Sequence, residues 1–181
     1  MNFQTYNDLF EGILQADQPA VPYDNIDYFH YVKLNHKRQE RWLKKGDILP
    51  ELETKIKSID NTQNWILITE PWCGDASHSV PFVAKLAELN PKINLNIQLR
   101  DSDSEIDKYL TNGGKSIPIL VVRDEQNKDL FHWGPRPTEA QNIHLYNLTS
   151  DKTVDEKKVE LQKWYNSDKG ISLQKELLTK F

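Results

Sequence analysis

The chain has 181 residues, with 23 lysines and arginines against 27 aspartates and glutamates, for a formal net charge of -4. That length accommodates one domain with embellishments, and the acidic balance, with no basic stripe interleaved with aromatics, argues against a nucleic-acid binder. The single cysteine excludes an internal disulfide and fits a reducing, cytoplasmic setting, and no apolar run approaches the roughly 20 residues that span a bilayer.

The start, MNFQTYNDLFEG, has neither a basic segment nor a long apolar stretch, so a signal peptide is not expected. Phe3, Tyr6, Leu9, Phe10, Ile13 and Leu14 recur near a 3.6-residue period, which predicts a helix over 2–15. QPAVP breaks it. Asp24 is expected to cap a second helix with Ile26, Tyr28, Phe29, Val32, Leu34, Trp42 and Leu43 on its apolar side and Gly46 at its end. Its basic stretch, KLNHKRQERWLKK, reads as a solvated face. The aromatics Tyr23, Tyr28, Phe29 and Tyr31 either dock this helix on a core or line a ligand groove. Residues 47–59 read as a third helix with Leu52, Ile56 and Ile59 inward.

The stretch NWILITEPWCGDASHS reads as strand, turn and helix. WILIT is an apolar, β-branched run suited to a strand covered on both faces, and Glu70-Pro71 ends it. Trp72-Cys73-Gly74-Asp75-Ala76 then leads into a helix in which Val80, Val83, Ala84, Leu86 and Ala87 fall at helical spacing. Cys73 is placed in its first turn, where unpaired backbone N–H groups and the helix dipole favour thiolate. Partial exposure and reactivity are expected there, opposed by the charges of Asp75 and Glu70. The bland alternative is a small buried hydrophobe.

Beyond it, INLNIQL alternates as a strand with one wet face, and Ser102 with Glu105 has capping-box spacing for a helix ending at Gly113-Gly114. Residues 117–122 form a buried strand, 124–128 a polar turn and 130–133 its return strand. Thr138 with Gln141 suggests a second capping box, and 152–181 reads as two amphipathic pieces around Asp168-Lys169-Gly170. This order implies an α/β protein with a mixed sheet between helical layers. Arg136, held between Pro135 and Pro137, either receives an anion near the thiol or pairs with Asp75 or Glu70. His30, His36, His78, His132 and His144 show no metal-ligand spacing with each other or with Cys73, so neither metal nor cofactor is expected. A thiol–imidazole dyad with His78 is not expected either, because five residues turn it away from Cys73.

WCGDA after an apolar strand resembles the active-site turn of the thioredoxin superfamily, whose usual form is WCxxC. Residues 114–119, GKSIPI, resemble the cis-proline loop of that superfamily, and 119–123 with 129–133 resemble its closing hairpin. With WGPRP, the chain is most similar to a bacterial subgroup that has a single active-site cysteine. The resemblance implies a thioredoxin-like domain over 47–150, an N-terminal helical extension over 1–46 and a C-terminal one over 151–181. It also implies Cys73 as the attacking residue, Trp72, Gly74 and Asp75 as shapers of the turn, and Ile117 and Pro118 as guides for a substrate chain. Ala76 stands where a resolving cysteine would be and Leu67 where a buried acid would be, so the dithiol mechanism does not carry over. Two functions follow. One is a thiol-disulfide oxidoreductase forming mixed disulfides with a small thiol or a protein partner. The other is a non-catalytic module that binds a peptide or protein beside Pro118.

Overall fold

The computed structural model describes all 181 residues, in which four strands and seven α-helices follow the expected order except between the second and third strands. Strand β1 (Gln63–Thr69) lies at the centre, with Trp65, Leu67 and Ile68 fully covered. It runs parallel to β2 (Ile93–Leu99) and antiparallel to β3 (Ile119–Arg123), and β4 (Asp129–Trp133) closes the sheet in the order β2-β1-β3-β4. The mixed sheet is flanked by α1 (Phe3–Gln15), α2 (Ile26–Lys45), α3 (Pro50–Lys57), α4 (Ala76–Glu88), α5 (Thr138–Leu148), α6 (Val154–Asp168) and α7 (Ile171–Leu178). This is the α/β, thioredoxin-like architecture the motifs implied. Met1 exchanges two backbone hydrogen bonds of 2.7 Å with Ile97 and so covers part of the free edge of β2.

Several local expectations give way to tertiary contacts. Asn25, not Asp24, caps α2, accepting the Asp27 N–H at 2.9 Å. Ile26 and Leu34 are exposed, and the buried stripe of α2 is Val32, Asn35, Gln39 and Trp42. The helix expected after β2 shrinks to one 3-10 turn at Ile106–Lys108. Its intended capping partner, Glu105, is drawn instead to Arg123, at 2.7 and 3.1 Å, and to Lys108. Thr138 and Gln141 form no box. The Thr138 N–H donates to Glu176 of α7 at 2.7 Å, and Gln141 accepts from Arg136 at 3.1 Å. A box does open α6, through Thr153 and Glu156.

Helix α7 returns along the body of the fold. Gln174 accepts the Leu49 N–H and donates to the Asp47 carbonyl, while Glu176 also accepts from Trp133 Nε1 at 2.7 Å. The turn into α7 requires Gly170, whose φ is +78° and whose missing Cβ would lie 2.4 Å from the Phe82 ring. Gly46, the C-cap of α2, has an ordinary φ of -79° and faces the same ring, so close approach rather than backbone freedom explains it.

Candidate functional site

The site begins where β1 ends. The Cys73 N–H bonds to the Glu70 carbonyl at 3.1 Å, and Ser77 N–H reaches back to Cys73 O at 3.3 Å as the chain enters α4. Helix α4 starts at Ala76, so Cys73 precedes the first turn rather than sitting in it. The buried Asn35 of α2 donates to Pro71 O at 3.0 Å and pins this loop from the side. The Ser77 hydroxyl donates to Gly74 O at 2.6 Å, which commits it to the backbone. Opposite the loop lies Ile117, whose carbonyl accepts from Cys73 Sγ at 3.5 Å; the Ile117–Pro118 bond is cis.

Cys73 is only 7% exposed, which corrects the expectation of partial exposure. Burial pushes its thiol up to about 12, and the charge of Asp75 adds to the rise. The N–H groups of Ala76 and Asp75 and the Arg136 guanidinium pull the other way without reversing it. The thiolate expected from the helix start is therefore not the resting form around neutral pH.

Arg136 takes the structural one of its two expected roles. Its Nη2 lies 2.6 Å from an Asp75 carboxylate oxygen, while its Nε is buried without a partner. Gly134 permits the approach of this loop: its φ is +127°, and a Cβ there would meet Pro118 O at 2.2 Å. Asp75 also accepts from the Tyr165 hydroxyl of α6 at 2.8 Å. The Tyr165 ring stacks on His78, with centroids 4.3 Å apart and planes 2° from parallel. His78 in turn accepts from Trp42 Nε1 at 2.9 Å on Nδ1, so the ring proton lies on Nε2 and meets Gln162 Oε1 at 3.1 Å. Both ring nitrogens are thus occupied, and burial lowers the imidazole to about 3.

Trp72 is half-buried, with the Arg100 guanidinium 4.5 Å from its ring centroid and Tyr28 against it edge-on. Its Nε1 is buried and donates to nothing in the protein. Gly74 lies beside Arg38, whose Nη1 would be 3.8 Å from a Cβ at that position. These residues and Ile117 line a cavity of about 730 Å³, completed by α2 on one side and α6 on the other. Pro118 does not line it. Lys115, in the loop before Ile117, pairs with Asp107 at the surface. No group of three His, Cys, Asp or Glu side chains gathers as a metal site, and no helix is long and apolar enough to cross a membrane.

The sequence reading missed Arg38, Arg100, Gln162 and Tyr165 as parts of this region. Arg38 had one available signal. Val32, Asn35, Gln39 and Trp42 are spaced three, four and three apart, a helical stripe that places Arg38 beside a buried face.

A family model described as thioredoxin matches residues 23–160. Among solved structures, a protein of unknown function from Pseudomonas aeruginosa is similar at 15% identity and a TM-score of 0.56, covering 99% of this chain and 96% of that one. An HIV epitope scaffold is similar at 16% identity and a TM-score of 0.55, covering 99% and 97%. At these identities the likeness concerns the fold. No curated protein matches the sequence.

Proposed function

The chain belongs to the thioredoxin family, and from that premise we propose that it acts as a thioredoxin-fold binding protein, holding a ligand or partner segment in the cavity beside Trp72, Cys73 and Ile117. The observation that carries this reading is the state of the one cysteine: 7% exposed, hydrogen-bonded to Ile117 O and held protonated by burial. A protonated, covered thiol is a poor nucleophile. With Ala76 buried two residues beyond Gly74, no second thiol of this chain resolves a mixed disulfide. The cavity falls within the size range of small-molecule sites, and its walls combine aromatic surface with a few polar groups.

One observation favours a second reading, single-cysteine thiol exchange. The Ala76 and Asp75 N–H groups and the Arg136 guanidinium all favour the charged form of the sulfur. In that chemistry Cys73 S⁻ attacks a disulfide, forms a mixed disulfide and releases one thiolate; an outside thiol then returns Cys73 to its starting state. Incubation of the native protein with glutathione disulfide, followed by mass spectrometry, separates the two. The binding reading predicts no adduct on native protein and a full adduct after unfolding. Rapid glutathionylation of the native chain, absent in Cys73→Ser, would overturn it.

A further inference from the structure

The charges around the cavity are unevenly matched. Arg136 pairs with Asp75, and Arg100 is held by Asp101 at 2.7 and 2.9 Å. That leaves Arg38, Lys157 and Lys158 in the lining without an ion-pair partner, against Asp27 as the one unpaired carboxylate. Arg38 is half-buried and its guanidinium bonds only to Asn35 Oδ1, at 3.0 Å. The Asp75 carboxylate acts on it from a distance but is already paired with Arg136, and a partly desolvated cation without a contacting counter-charge is costly. Lys158 hydrogen-bonds to the Tyr31 hydroxyl, with the Asp155 and Asp27 carboxylates near enough to be felt but neither in ion-pair contact, and Lys157 makes no side-chain hydrogen bond. The cluster is local, since the whole chain is acidic at -4.

Apolar surface adjoins these cations. Leu161 is partly buried, while Leu148 and Val154 at the rim are 64% and 66% exposed. Trp72, with the Arg100 guanidinium over its ring, adds aromatic surface to the same wall. Resting on the binding reading above, we propose that the cavity takes a small amphipathic organic anion. Its acidic group, a carboxylate, phosphate or sulfonate, sits on Arg38 with Lys157 and Lys158, and its apolar body lies against Trp72 and Leu161. A planar guanidinium fits such acids in two-point contact, and the paired ammonium groups add charge without fixing geometry.

The test compares two fluorescent probes of one skeleton, anilinonaphthalenesulfonate and its uncharged parent phenylnaphthylamine, titrated into the full chain. The proposal predicts that the sulfonate binds about tenfold tighter or more, the effect of a charge-assisted contact. Arg38→Gln should bring the two probes to within about twofold, while the outlying Lys44→Gln leaves the preference unchanged. The surface variant Lys157→Gln with Lys158→Gln serves as the second arm should Arg38→Gln fail to fold, and it should also weaken the sulfonate alone. Equal binding of both probes, or a preference untouched by these variants, overturns the anion assignment and leaves the binding reading standing. Failure of both probes to bind the folded wild-type protein overturns both.

Discussion

At the sulfur of Cys73, burial opposes backbone electrostatics, and magnitudes decide between them. A helix N-terminus contributes about 0.3–1 kcal/mol to a neighbouring anion, and each pKa unit corresponds to about 1.4 kcal/mol. Desolvation that carries the thiol up to about 12 is several times larger, so position before a helix does not activate this cysteine. His78 shows the same physics with the opposite charge. Its value falls from the ordinary 6.5 to about 3, mainly through burial. Below pH 6.5 the unfolded chain takes up a proton that the native ring refuses until about 3, so its contribution to stability is intact above that window and lost as pH falls through it. His78→Gln keeps an acceptor for Trp42 and removes the titration. Between those pH values the wild type should therefore lose stability more steeply than the variant, by on the order of 1 kcal/mol per pH unit. Denaturant melts at stepped pH measure this, and parallel curves would refute it.

Among the elements, α2 does the most to place the loop that carries Cys73. Its buried Asn35 holds Pro71 O, and its Trp42 holds His78. Asn35→Ala would leave a covered carbonyl unsatisfied, which costs about 1–3 kcal/mol. The variant should unfold at correspondingly lower urea and should label at Cys73 faster than wild type. An unchanged midpoint and labelling rate would show that α2 does not fix the loop. The importance of α2 was hard to read because its inward positions include two amides, which interrupt an apolar stripe. The β1–turn–α4 unit was legible for the converse reason: WILIT is uninterrupted apolar sequence up to Thr69, and Pro71 marks its end. The helix expected at 102–112 failed because Glu105, suited locally to a cap, finds a stronger partner in Arg123, which holds its carboxyl down at about 2. No local pattern signals a partner 18 residues away.

Across the whole molecule, the site joins parts of the chain that are remote in sequence: α2, the turn after β1, the loop before β3, Arg136 beyond β4, and Gln162 and Tyr165 of α6. The motifs WCGDA and GKSIP identify the fold and the place of the cysteine because both are local. Whether that cysteine is open or covered depends on how α2 and α6 pack around the turn, and each is legible only as an amphipathic helix. On the proposed reading, that cover is what makes the site a binding cavity instead of a redox centre. The most direct measurement is the rate of iodoacetamide alkylation of native Cys73 across pH, with the unfolded chain as reference. The account predicts labelling around neutral pH slower than in the unfolded chain by on the order of a thousandfold, with no titration near the roughly 8.5 of a free thiol. Fast labelling with a midpoint below that value would contradict it and make Cys73 an activated nucleophile.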